Sequence, residues 1–172
     1  VVNPAVAGAA SATLRERVFA LLAGVPDPEI PVLSVLDLGV IRHVSVAPDG
    51  SVEVGVAPTY SGCPATPMIK ADILAALAGA GIRATAVDVL SPPWTSDWLS
   101  EEGRRKLEAY GITPPAAAVG SPRALVHAEP VIACPRCRSQ ETERLSEFGS
   151  TPCKALYRCL SCREPFDYFK CL

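Results

Sequence analysis

Cys134-Pro-Arg-Cys137 and Cys159-Leu-Ser-Cys162 are two copies of one short form, separated by residues 138–158. A Cys-x-x-Cys turn presents two thiolates on one side of a tight knuckle. Two such knuckles at the tips of neighbouring hairpins supply four sulfurs in a tetrahedron, the geometry that zinc takes with soft thiolate ligands. The spacing is that of a zinc ribbon. A single iron suits the same four sulfurs, and Cys153 and Cys171 are further thiols that an iron–sulfur cluster could recruit. Six of the seven cysteines stand at or after position 134, and only Cys63 lies outside that tail. An odd count with no basic residue ahead of the apolar start argues against a secreted disulfide framework and for a reducing, cytoplasmic setting.

The tail from about residue 128 is too short to bury a sufficient apolar core, so a metal staple is expected. Thr142–Phe148, Lys154–Cys159 and Phe166–Cys171 read as its strands. Phe148, Leu156, Tyr157, Phe166, Tyr168 and Phe169 form its expected mini-core. Ahead of it, Thr113–Pro122 is rich in proline and alanine and carries no charge, which reads as a linker. The expected organisation is a mobile tail over 1–11, a main domain over 12–112, a linker over 113–127 and the ribbon over 128–172.

Within the main domain, Leu14, Val18, Leu21 and Leu22 recur at helical spacing. Thr13 and Glu16 have the form of a capping box, and Gly24 fits the stop. The prolines of Val25–Pro31 favour turns. Val40–Val46 and the alternating Val52, Val54 and Val56 read as a hairpin around Pro48-Asp49-Gly50. A second helix follows Cys63, with Met68, Ile69, Ile73, Ala76 and Leu77 on one face. Thr85, Val87 and Val89 mark a third strand, and Ser100 caps a helix over Glu101–Tyr110. The order αββαβα predicts an α+β fold, a small sandwich followed by the β ribbon.

The 172 residues carry 16 basic and 18 acidic side chains, a net charge of −2, so no strong field draws the chain to nucleic acid or anionic lipid. No apolar run reaches the roughly 18 residues of a membrane span. With His43 and His127 as the only histidines, most His-dependent triads and His-rich metal sites are excluded. Cys63 sits where a Gly-containing loop meets a helix N-terminus, a place that favours a thiolate, although a buried cysteine also serves as a small hydrophobe. Asp27, Glu29 and Asp37 are its candidate companions, with turn formation as their structural alternative. Trp94 and Trp98 read as packing residues.

Asp27-Pro-Glu-Ile-Pro31, Asp37-Leu-Gly39, Thr59-Tyr-Ser-Gly-Cys-Pro64, Pro92-Pro-Trp94 and Glu101-Glu-Gly-Arg-Arg105, in that order, resemble the MIP18 (DUF59) family of iron–sulfur assembly factors over about residues 13–112. Phe148–Cys159 and Glu164–Cys171 resemble the D-component family of the bacterial phenylacetyl-CoA epoxidase system. The resemblance implies a cytoplasmic accessory protein of aerobic phenylacetate degradation that matures or maintains an iron–sulfur centre. It implies Cys63 as the cluster-handling thiol, with Asp37 as a nearby acid, and a transient iron–sulfur cluster as cargo. The epoxidase components, above all the iron–sulfur reductase, and other iron–sulfur assembly proteins are the implied partners, and homo-oligomers are left open. No di-iron carboxylate set is visible, so oxygenation chemistry is expected on another subunit. A ribbon that only docks oxygenase to reductase is the rival reading, and a nucleic-acid-binding ribbon is a weaker one.

Overall fold

The computed structural model describes residues 4–115 and 131–170, with the side chains described from residue 12 onward. The chain divides into two compact units, Val1–Trp94 and Thr95–Leu172.

The first unit opens with α1, Pro4–Leu22. The segment expected as a mobile tail over 1–11 is therefore helical from Pro4 onward, and Thr13 lies within the helix instead of at its start. Alanine carries the highest helix propensity, and five alanines stand between Pro4 and Thr13. Proline at the first helical position loses no hydrogen bond. Val18 and Leu22 are fully buried from this helix.

A proline-rich loop follows. Its prolines exclude helix, and the chain folds back on itself instead: Asp27 N–H donates to the Leu33 carbonyl at 2.8 Å and Val35 N–H to the Val25 carbonyl at 2.9 Å. β1, Ile41–Val46, and β2, Val52–Val56, then form an antiparallel pair, with a register shift between Ile41 and His43. Asp49 holds the turn between them, accepting from the Ser51 N–H at 3.0 Å and hydroxyl at 2.7 Å. α2, Thr66–Gly79, carries the chain over to β3, Ala84–Asp88, which lies parallel to β2 and completes a sheet of order β1-β2-β3. α1 and α2 touch each other and pack on this sheet. Ile69, Ile73 and Leu77, spaced four apart, form the buried stripe of α2. Met68, expected on that face, is 55 % exposed because it lies about 100° around the helix from Ile69.

The second unit begins with a single 3₁₀ turn over Ser96–Trp98 and α3, Glu101–Tyr110. The Ser100 hydroxyl accepts from Gly103 N–H at 2.8 Å, and Gly111 ends the helix in the left-handed region at φ 90°. β4, Ile112–Thr113, comes next, followed by β5, Thr142–Ser146, β6, Lys154–Cys159, and β7, Pro165–Phe169. The sheet order is β4-β7-β6-β5. β5, β6 and β7 are antiparallel neighbours, and β4 runs parallel to β7, with Ile112 opposite Asp167. The sequence places the end of the main domain at residue 112. In the structure α3 and β4 fall in the same compact unit as the ribbon, because β4 is one of the ribbon sheet's strands. Most of the expected linker over 113–127 lies outside the described residues.

The ribbon core contains Ile132, Cys134, Ala155, Cys159, Phe166 and Tyr168, with Tyr157 packed against it. Tyr157 stacks on Phe166 at 5.9 Å between ring centroids and meets Tyr168 edge-on at 5.8 Å. Phe169 is buried as expected, and Leu156 is half-buried. Phe148 is not part of this core: it is 62 % exposed, and the Lys170 ammonium lies 4.5 Å from its ring centroid.

Candidate metal centre and candidate thiol site

The two knuckles repeat one hydrogen-bond scheme. In the first, Cys134 N–H donates to the Ser139 carbonyl at 2.9 Å and Arg138 N–H to the Cys134 carbonyl at 3.0 Å. In the second, Cys159 N–H donates to the Glu164 carbonyl and Arg163 N–H to the Cys159 carbonyl, both at 3.0 Å. Each loop thus closes on its first cysteine. Each also forces the residue after its second cysteine into the left-handed region: Arg138 has φ 64° and Arg163 φ 69°. For a residue with a Cβ this costs about 1 kcal/mol. Nothing in the arginine spacing of the sequence signals it, since glycine is the usual occupant of such a position.

The result is a four-sulfur cluster. The ligand atoms of Cys134, Cys137, Cys159 and Cys162 all lie within 4.8 Å of one another. Sulfurs of Cys134 and Cys162 are 3.7 Å apart, and those of Cys137 and Cys159 are 3.5 Å apart. A metal–sulfur bond of about 2.3 Å in a tetrahedron requires sulfurs about 3.8 Å apart. The four residues therefore fit one closed tetrahedral ion.

Electrostatics agree with that fit. The Cys159 thiol is lowered to about 6, first by the Cys162 N–H pointing at its sulfur at 3.4 Å and further by neighbouring thiols. Cys162 is pushed up to about 12: the Glu164 N–H acts to lower it, but burial and the three other sulfurs outweigh that donor. Four thiols this close cannot all ionise without a cation among them, and a divalent metal supplies it.

Cys153 is buried elsewhere, its sulfur 3.0 Å from the Thr151 hydroxyl, and it is not one of the four clustered ligands. Cys171 lies outside the described residues. Next to Cys153 is a residue the sequence does not flag: Lys154 is buried on β6, with its ammonium 3.5 Å from the Asp167 carboxylate. Asp167 also accepts from the Ser150 hydroxyl at 3.2 Å.

Cys63 belongs to the first unit. It precedes α2 by three residues and is 9 % exposed. Cys63 N–H donates to the Tyr60 carbonyl at 3.1 Å, and its own carbonyl accepts from Thr66 N–H at 3.2 Å. Gly62 turns the loop with φ 81° and has no atom within 4 Å of where a Cβ would stand. Ala65, at the N-cap of α2, provides no capping side chain. Thr66, at the first helical position, buries a hydroxyl with no hydrogen-bond partner. A burial pattern of that kind is invisible in a sequence.

Asp27 and Asp37 both hold turns. Asp27 accepts from the N–H groups of Glu29 and Ile30 at 3.0 and 2.7 Å. One Asp37 carboxylate oxygen takes the Ser34 N–H at 3.0 Å and its hydroxyl at 2.8 Å, while Asp37 N–H donates back to that hydroxyl at 3.1 Å. The Trp94 indole N–H donates to the Leu38 carbonyl at 3.0 Å, so this tryptophan is a packing residue tied to the Asp37-Leu-Gly39 turn. His43 lies across Gly55 and meets Glu53 at 3.2 Å. Among the described residues, Cys63 joins no group of three or more metal-ligating side chains.

Residues 15–89 match the family described as iron–sulfur cluster assembly protein, and residues 118–170 match the PaaD zinc beta ribbon domain. A relative from Escherichia coli (strain K12), the D component of a "Putative 1,2-phenylacetyl-CoA epoxidase", is 50 % identical over 91 % of this chain and 92 % of its own length. The chain belongs to that epoxidase D-component family. Its amino-terminal part is also 34 % identical to the Fe-S protein maturation auxiliary factor YitW of Bacillus subtilis (strain 168), over 51 % of this chain and 86 % of the relative. The solved DUF59 domain from Bacillus anthracis shares the fold. It is 21 % identical with a TM-score of 0.55, covering 58 % of this chain and 96 % of the domain. The D-component family thus joins an iron–sulfur-assembly-type α+β unit to a four-cysteine β ribbon, as expected from the motifs. Among the described residues, no helix is long and apolar enough to cross a membrane.

Proposed function

We propose that this chain is a cytoplasmic accessory protein of aerobic phenylacetate degradation, which assembles or maintains an iron–sulfur centre of the phenylacetyl-CoA epoxidase system. The observation that carries the reading is its likeness, over nearly its whole length, to the Escherichia coli D component, combined with an assembly-type domain that has Cys63 at the start of α2. The client is the iron–sulfur reductase component, and other iron–sulfur assembly proteins supply the cluster.

In this reading Cys63 is the cluster-handling residue. A thiolate ligates cluster iron through sulfur and yields it by exchange with the cysteines of a client. At 9 % exposure the thiol is nearly covered, so the Thr59–Pro64 loop must open to admit a cluster; Gly62 has the room and the backbone freedom for it. Asp37 is the acid that the family resemblance adds, and its contribution is to fix the turn beside Trp94 through Ser34. The four clustered cysteines hold zinc, which closes the site and lends it no redox chemistry. The chain is not itself the oxygenase.

The test is to produce the reductase component with the full chain, without it, and with Cys63→Ser. The expected result is full iron and sulfide content only with the unaltered chain, while Cys63→Ser keeps its fold and its ribbon metal. Equal cluster content in all three preparations would overturn maturation and leave docking of oxygenase to reductase as the function. Epoxide formation by the chain alone would overturn the accessory role altogether.

A further inference from the structure

The two knuckles are alike in backbone and differ in what their left-handed arginines meet. Arg138 is paired: its guanidinium contacts the Glu108 carboxylate of α3. Arg163, at the equivalent place in the second knuckle, is exposed, and its guanidinium makes no hydrogen bond or ion pair among the described residues. Its neighbour Glu164 cannot neutralise it, because that carboxylate is engaged by Arg136 of the first knuckle at 2.5 Å. In the same turn Leu160 is 43 % exposed. Glycine would take this conformation without strain, so the metal site does not require an arginine there.

We propose that the second knuckle is a docking surface for an acidic protein segment, with Arg163 receiving a carboxylate as Arg138 receives Glu108 and with Leu160 as the apolar contact beside it. Arginine suits this role because its planar fork matches a carboxylate. A protein carboxylate fits better than a nucleic-acid backbone. The first knuckle already shows the pairing with a carboxylate, and the neighbouring cations are committed, Arg136 to Glu164 and Arg158 to Glu143. No run of unpaired cations is left, among the described residues of the knuckles, to follow a phosphate chain.

The experiment titrates the isotope-labelled, metal-loaded full chain with an octaglutamate peptide at low ionic strength and follows backbone amides by NMR. The expected result is that shifts concentrate on Leu160–Glu164. Arg163→Gln weakens binding by about two- to fivefold, the range of an exposed ion pair. Arg163→Gly weakens it equally while raising Tm, since it removes the guanidinium and the left-handed strain together. Arg144→Gln, at an exposed arginine paired with Glu147, leaves binding unchanged. Three results would overturn the proposal: shifts spread evenly over all the arginines, no loss on changing Arg163, or tighter binding of a thymidine octanucleotide to the same amides.

Discussion

The first unit closes on aliphatic side chains, whereas the second closes partly on its own thiols. Val18, Leu22, Leu33, Ile73 and Leu77 have no exposure at all. In the ribbon, Cys134 at 1 % and Cys159 at 0 % are core members and candidate metal ligands at once. The difference decides what a cysteine is free to do. Where a hydrophobic core carries the fold, Cys63 can be given to chemistry at small structural cost. Where the core is too small, the cysteines are the fold, and their chemistry is consumed in holding it.

Metal removal should separate the two most sharply. A strong chelator is expected to unfold the ribbon strands and leave β1–β3 folded, because a structural metal contributes on the order of 10 kcal/mol or more to such small folds. Amide NMR spectra before and after chelation check this, and loss of the first unit's dispersed signals would break the comparison.

A cavity should do the converse. Leu77→Ala, at a fully buried position of α2, is expected to destabilise the first unit by about 2–5 kcal/mol and leave one metal bound per chain. Denaturant melts read alongside metal analysis test it. Metal loss in this variant would mean that the ribbon depends on the first unit's core.

The smallest effect concerns the β1–β2 turn. Ser51, through its hydroxyl and N–H, and Arg83 hold the Asp49 carboxyl below its usual value. A lowered carboxylate adds stability above its unfolded pKa, and that contribution is lost as pH falls through the folded value. Ser51→Ala should raise the Asp49 pKa toward the ordinary carboxylate range in an NMR titration and leave the ribbon amides untouched. An unmoved Asp49 would assign the depression to Arg83 and the Ser51 N–H alone.

What can be read from the sequence follows the range of the interaction. The Ser100 cap and the Gly111 stop of α3 are local signals, and the helix spans the expected Glu101–Tyr110. The knuckle spacing is likewise local, and the four sulfurs converge. α1 is harder, because Ala and Gly between Pro4 and Thr13 make no apolar stripe and the Thr13–Glu16 pair imitates a cap. Two-residue strands have no periodicity, so in sequence β4 looks like the end of the preceding domain. The left-handed arginines follow from the closure of each knuckle on its first cysteine, and the pairing of buried Lys154 with Asp167 from the packing of the ribbon strands; residue type signals neither.

The pairing of β4 with β7 has a practical corollary. Cutting the chain at residue 113 or later, as the linker composition invites, would strip the outermost ladder from the ribbon and bare the backbone of β7. An unpaired strand margin of that kind recruits other chains, so such a fragment is expected to aggregate or dimerise edge to edge even with its metal in place. A fragment opened at Thr95 keeps the margin covered.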